Sequence, residues 1–449
     1  MRFFRDTGRR RVALLVVAIG AAGLNLRSPI SSLPPVFPEL QARLHLSSAV
    51  LSLLAATPVV CFGLGAMFAA SLSRRFGEER VLGAALVALT AGLLLRGLAP
   101  GVLLFPGTIL ATSAIALLNV LTAAMIKRRW PERAGLGIGI FLTGLSLGAV
   151  LASLLSVPVY NASGGSLRLT LGLWAGPAAL AALLWIPQLR YGRGEHGGAP
   201  EGPQGLTGGP GGPPVSRGGL GGIVPPRAKP IVPPRAKPYR YSLAWQVTAF
   251  MGLQSLLYYA ALSWLPTMFQ DRGESAVTAG NLLALMGLGN LATSMVVPLV
   301  AQRLHLGQRR LVIPSAIGTA AGLAGSLWGP LGSAPAWVLV LGVCQGATLG
   351  LAVFFTMARA PDSGTAASLS GLAQSVGYLV ASTGPLALGL LHSATGGWGI
   401  PFGLLLVLTA CELGVGLLAA RPLVLPGPAN TTRVSVSGQS SQASPGLQS

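Results

Sequence analysis

Apolar runs of roughly twenty residues recur along the chain, separated by short stretches rich in charge, Pro and Gly. A helix of about 20 apolar residues crosses the hydrocarbon core of a bilayer. Read between the polar breaks, the pattern predicts twelve spanning helices. They are Val12–Pro34, Ser47–Leu72, Val81–Ala99, Leu103–Ile126, Ala134–Val159, Leu169–Leu189, Leu243–Phe269, Ala276–Ala301, Leu311–Trp328, Ala336–Met357, Thr365–His392 and Trp398–Ala420. Pro29, Pro58, Pro158, Pro298 and Pro385 fall inside these runs. They are compatible with spanning helices, because neighbouring helices and waters satisfy the backbone groups that Pro releases. The first run follows a basic stretch but is longer than a signal-peptide core.

Residues 191–241 break the pattern with a Gly- and Pro-rich stretch that reads as an irregular cytoplasmic linker. It contains Ile223-Val-Pro-Pro-Arg-Ala-Lys-Pro230 twice in succession, a duplicated spacer in preference to a proline-rich ligand. Residues 422–449 read as an irregular tail. The expected organisation is a first six-helix bundle over 1–190 and a second over 242–421. The halves show weak similarity at an offset of about 230 residues: Ser31 to Phe37 aligns with Ser263 to Phe269, Gly77 and Arg80 with Gly307 and Arg310, Arg129 and Pro131 with Arg359 and Pro361. Six spans per half make these parallel repeats, related by an axis along the membrane normal.

Composition agrees with the pattern. Only 9% of the 449 residues are charged and 51% are hydrophobic, against about 25% charged in soluble domains. A soluble enzyme and a disordered protein are excluded. The formal net charge of +20 does not mark a nucleic-acid binder, because the basic residues sit between apolar spans and not on one solvated face. Of 31 Lys and Arg, 26 fall on one side of the predicted alternation. The positive-inside rule then puts both termini and the linker in the cytoplasm of an inner-membrane protein, with affinity for anionic lipid head groups. Of the other five, Arg43, Arg96, Arg168 and Arg272 are expected near the opposite face, and Arg27 lies inside the first span. Cys61, Cys344 and Cys411 form no disulfide framework or metal-ligand spacing, and the four histidines do not cluster. Neither cofactor nor metal is implied. Asn161-Ala162-Ser163 is a short glycosylation sequon that arises easily by chance. Gly135, Gly137, Gly139, Gly144 and Gly148 fit close helix packing, since no strand precedes them. With no phosphate cradle, ATP-driven transport within the chain is excluded, and no catalytic spacing points to an enzyme.

Several segments resemble the major facilitator superfamily. Ser71-Leu-Ser-Arg-Arg-Phe-Gly-Glu-Glu-Arg80 is similar to its loop between helices 2 and 3, with Arg74, Gly77 and Arg80 at the conformational motif and Ser73 near the place of its usual Asp. More narrowly, Leu24-Asn-Leu-Arg-Ser-Pro29, Asn119 with Ile126-Lys-Arg-Arg-Trp-Pro-Glu-Arg133, Ala244 to Tyr258, and Gly377 to Pro385 resemble cyanate and nitroimidazole transporter-like permeases. The resemblance implies a monomeric carrier with a cavity lined by helices 1, 4, 7 and 10.

Arg27 is the sharpest candidate. It lies about 15 residues into its span, where an Arg costs at least about 2.5–3.5 kcal/mol. Gly20, Gly23, Arg27 and Ser31 share one small, polar helix face. An Arg cannot be neutralised, and no other first-half span carries a carboxylate, so its partner is an anionic substrate, helix-end carbonyls or water; the alternative is an outer-leaflet Arg that snorkels to the surface. Asn25 and Asn119 from the first half, with Gln254, Tyr258, Gln374 and Tyr378 from the second, could complete a substrate site; Gln345 is a weaker candidate. Amides and phenols offer donors to an anion and faces to a planar group. Glu412, the one carboxylate deep in a span, is a candidate proton site or a residue that reaches towards the cytoplasm. The expected function is secondary transport of a small organic or pseudohalide-like anion. An efflux carrier for drugs or antimetabolites, and a non-transporting sensor using the linker, are the alternatives.

Overall fold

The computed structural model describes residues 2–129, 133–191, 238–304 and 307–426. The duplicated octad, most of the linker and nearly all of the predicted tail lie outside these residues. The described chain is helical: α1 (Arg2–Ser31), α2 (Phe37–Leu44), α3 (Ser48–Phe76), α4 (Glu78–Leu98), α5 (Pro100–Arg129), α6 (Ala134–Ala162), α7 (Leu167–Gly172), α8 (Ala175–Tyr191), α9 (Ser242–Asp271), α10 (Ala276–Arg303), α11 (Arg309–Trp328), α12 (Ala334–Ala358), α13 (Ser363–Ala381), α14 (Thr383–Thr395) and α15 (Gly399–Ala419). Three of these depart from the predicted pattern of one helix per span. The short α2 sits in the first loop. The sixth pass divides into α7 and α8, and the eleventh into α13 and α14 at Ser382. Pro385, in the first turn of α14, has no N–H to carry the helix through the second break.

Among the described residues, ten candidate spans are long and apolar enough to cross a membrane. The two passes that fall short are α9 and the α13–α14 pair. For α9 the shortfall has a physical reason. Most of its side chains are buried in protein, so it can carry Gln254, Ser255, Tyr258 and Tyr259 without presenting them to lipid.

Glycines set the closest helix approaches. Gly23 of α1 lies against the Phe141 carbonyl of α6, and Gly144 of α6 against the Gly20 carbonyl of α1. Small residues let helix backbones approach this closely where lipid supplies no hydrophobic drive. Between the halves, α3 packs on α13 and α14, and α6 packs on α10. Tight contacts run from mid-membrane, where Gly63 of α3 lies against Leu379 and the Ser375 carbonyl of α13, to the ends remote from the termini. A methyl at Gly280 would sit 2.7 Å from the Ser153 carbonyl, and one at Gly389 would overlap the Ser52 side chain and the Trp264 ring. At the same end, Gln270 Nε2 donates to the Pro35 carbonyl at 3.3 Å. The halves are thus sealed together on the face away from the termini.

Candidate functional site

Four helices, two from each half, meet around Arg27. Its Nη1 donates to the Tyr258 hydroxyl at 2.5 Å. The guanidinium carbon lies 4.9 Å from the centre of the Tyr258 ring and 5.9 Å from that of Tyr259. Tyr259 meets Tyr258 edge-on at 5.3 Å and Tyr378 at 6.4 Å. Phe62 of α3 closes the group, 6.3 Å from Tyr259 and 5.8 Å from Tyr378. A cation within about 6 Å of an aromatic face is attracted to its quadrupole, more strongly where water is excluded.

All of these partners are neutral. Phenol and ring faces satisfy and orient the guanidinium, but they do not cancel its charge. Among the described residues no Asp or Glu pairs with Arg27, and its other donors make no hydrogen bond. The site can therefore receive an anion at free N–H donors and hold a flat group against tyrosine faces.

The structure separates the predicted residues. Tyr258 and Tyr378 join Arg27. Asn25 points elsewhere: its Nδ2 donates to the Ala21 carbonyl at 2.8 Å and the Pro177 carbonyl at 3.1 Å, joining α1 to α8 within the first half. Gln254 is buried and donates to Ser255 Oγ at 2.6 Å on its own helix. Gln374 is half-buried one turn before Tyr378 and donates to Ser370 Oγ at 2.9 Å. Asn119 is half-buried on α5, outside the ring contacts. Gln345 is fully buried with neither amide atom in a hydrogen bond. Tyr259 and Phe62 are additions that the sequence analysis missed. Their signal was Tyr259's place beside Tyr258; Phe62, an aromatic in an apolar run, gave none.

Arg96 corrects an expectation. It does not reach the far surface but is 1% exposed. It donates to the Pro29 carbonyl at 2.9 Å and the Leu171 carbonyl at 3.4 Å. These belong to the final turns of α1 and α7, where carbonyls lack helical partners and the dipole favours a cation. Arg96 thereby fixes the end of the helix that carries Arg27.

In the loop motif, Gly77 caps α3 at φ 85°, a backbone region that favours glycine. Arg74 and Arg80 are exposed. The pairing falls instead to Glu78 and Glu79, both buried. Arg128 meets Glu78 at 3.0 Å and also pairs with Glu79, which lies 3.1 Å from Arg129. Trp185 Nε1 donates to the Glu79 carbonyl at 3.3 Å. The related position in the second half is neutral: Arg359 Nη2 donates to Gln308 Oε1 at 3.0 Å. No group of His, Cys, Asp and Glu among the described residues could hold a metal.

A polar centre enclosed between two halves of six passes each defines an integral multi-pass membrane carrier. The sequence profile of the Major Facilitator Superfamily matches residues 13–385, and the chain belongs to that family. A 2-nitroimidazole transporter of Escherichia coli (strain K12) is 32% identical over 92% of this chain and 97% of its own length. The cyanate transport protein CynX of the same organism is 27% identical over 86% and 91%. An uncharacterized transporter of Bacillus subtilis (strain 168), YycB, is 33% identical over 90% and 93%. Among solved structures, a bacterial homolog of the human lysosomal transporter Spinster, inward-facing and unoccupied, superposes with a TM-score of 0.67 at 15% identity, covering 92% of this chain and 97% of that one. A D-xylose-proton symporter gives 0.66 at 14%, covering 92% and 100%. The relatives are carriers of small molecules and not enzymes.

Proposed function

We propose that this protein is a secondary, alternating-access carrier of a small organic or pseudohalide-like anion, with Arg27 as the main anion contact. The observation that carries this reading is the guanidinium held only by neutral groups between the two halves. A buried charge left uncompensated is costly, and an anionic substrate offsets that cost on arrival. The relatives named for cyanate and 2-nitroimidazole transport support a small, flat substrate. Tyr258, Tyr259 and Tyr378 would face it, and Asn119 and Gln374 would line the approach.

The positive-inside count supports cytoplasmic termini in an inner membrane. On that orientation, the seal at Gly280 and Gly389 closes the outer side, and the conformation is inward-facing. Gly77 would then be the cytoplasmic hinge of the first half, with Arg74 and Arg80 beside lipid head groups and Glu79 clamping α4 to α5.

The test is uptake of radiolabelled cyanate by cells expressing wild-type protein, Arg27→Ala or Arg27→Lys. The reading expects both variants to be made and inserted at wild-type levels and to transport nothing. Normal uptake by Arg27→Ala would refute it. A second reading, export of a planar drug or antimetabolite, is favoured by the tyrosine faces. Everted vesicles loading 2-nitroimidazole faster than whole cells would select it.

A further inference from the structure

Glu412 of α15 stands apart from the Arg27 group. It does not reach towards the termini; it is 0% exposed, and neither carboxyl oxygen has a hydrogen-bond partner among the described residues. The Thr348 hydroxyl lies alongside, but its proton goes to the Gln345 backbone carbonyl at 3.1 Å. Register places the surroundings. Gly416, one turn further along α15, lies against Phe250 of α9 and Val312 of α11. The seventh and twelfth passes run in opposite directions, so Glu412 stands level with Gln254, one turn from Tyr258. From α12 a similar level carries Gln345, and about one turn nearer the far face α11 carries Thr319, whose buried hydroxyl is also unpartnered.

Among the described residues no cation meets this carboxyl. In α9 the titratable groups are Tyr258, Tyr259 and the distant Asp271; in α11, Arg309 and Arg310 at its start; in α12, Cys344; in α14, His392; and in α15 itself, the exposed Cys411. Arg359 sits by the end of α15, bonded to the Ala419 carbonyl at 3.0 Å. That is seven residues from Glu412, or about 10 Å along the axis. An ionised carboxylate buried without a counter-charge costs several kcal/mol, and such a group takes up a proton instead.

We propose that Glu412 is a proton-carrying site in the second half, and that the proton it holds accompanies the anion at Arg27. This rests on the anion reading above. Glu412 binds one proton from the outer side and becomes a neutral acid. It releases that proton to the termini side, returning to carboxylate. One anion with one proton moves no net charge, so the pH gradient drives transport and the membrane potential does not. Gln345, with a free amide near this level, would hydrogen-bond the carboxylate form, and Thr319 offers a further free hydroxyl one turn away.

The test uses purified full-length protein in proteoliposomes with radiolabelled cyanate. With one pH unit imposed, acid outside, wild type should accumulate label up to about tenfold, unaffected by valinomycin-clamped potential. Glu412→Gln should lose accumulation yet keep cyanate counterflow at equal pH. Counterflow absent in wild type would defeat the anion reading alone. Difference infrared spectroscopy without substrate tests Glu412 separately and also covers a Glu412→Gln that loses all transport. A protonated-carboxyl stretch present at pH 7 in wild type and missing in Glu412→Gln supports the proposal. No such band, accumulation by Glu412→Gln equal to wild type, or accumulation driven by sodium without a pH gradient would overturn it.

Discussion

The Arg27 guanidinium of the first half donates to the Tyr258 hydroxyl of the second at 2.5 Å, so the proposed anion contact is also a bond between the halves. An arriving anion competes with that phenol, and occupancy of the site is thereby tied to the contact between the bundles. A ligand shifts a conformational equilibrium only through such a differential interaction.

Tyr258→Phe keeps the ring beneath the cation and removes the hydroxyl. A hydrogen bond to a charged group is worth about 1.5–3 kcal/mol. The outward-open population should therefore rise by one to two orders of magnitude. Spin labels at Ala162 and Ala394, on the far ends of α6 and α14, should show a longer distance in the variant. An unchanged distance distribution would count against the latch.

Asn25 should behave differently from Arg27 despite lying two residues away. It bridges α1 to the Pro177 carbonyl, and Asn25→Leu leaves that carbonyl unpaired. The loss should be about 1–3 kcal/mol of stability, seen as a lower Tm, with KM for transport unchanged. A raised KM at wild-type Tm would move Asn25 into the site.

Gly389 has no space for a side chain beside Ser52 and Trp264. Gly389→Val should keep the far face from closing, with an overpacking cost of about 1–3 kcal/mol. Cysteines introduced along α3 near Ser52 should become reactive from outside in whole cells. Transport should fall by about five- to 160-fold, since 1.4 kcal/mol is a factor of ten.

Asp362, in the loop between α12 and α13, caps α13 through the Thr365 amide at 2.9 Å and its hydroxyl at 2.8 Å. These bonds hold its carboxyl below the ordinary value of 3.8. A depressed folded value means the cap stabilises fully above pH 3.8 and is lost as pH falls below it. The protection factor of the Thr365 amide, its exchange relative to the free amide at the same pH, should fall in acid in the wild type. In Asp362→Asn, which cannot titrate, that protection factor should not change with acid. A protection factor that falls in acid in the Asn variant would contradict this.

The spans and the buried place of Arg27 were legible in the sequence because charge and polarity inside lipid are expensive and therefore sparse. Tyr258 and Tyr378 were legible as polar residues on otherwise apolar faces. The partners of Asn25 and Gln254 were not, since a hydrogen bond within one half looks the same in sequence as a bond to substrate. Arg96 was assigned to the far surface because counting charges by side cannot distinguish an arginine at the bilayer edge from one buried on helix-end carbonyls. Glu78 and Glu79 were overlooked as clamps because their partners, Arg128 and Arg129, come from the far end of another helix, α5. Phe62 was hidden because an aromatic residue in an apolar span also fits a lipid-facing position.

The central claim is that Arg27 binds an anion, and a thermal-shift titration of purified protein tests it most directly. A ligand that binds only the folded state raises Tm with concentration. Cyanate, at 100-fold its dissociation constant, should stabilise wild type by about 2.7 kcal/mol and leave Arg27→Ala unmoved. Equal stabilisation of both proteins, or stabilisation of wild type by cationic ligands alone, would contradict the account.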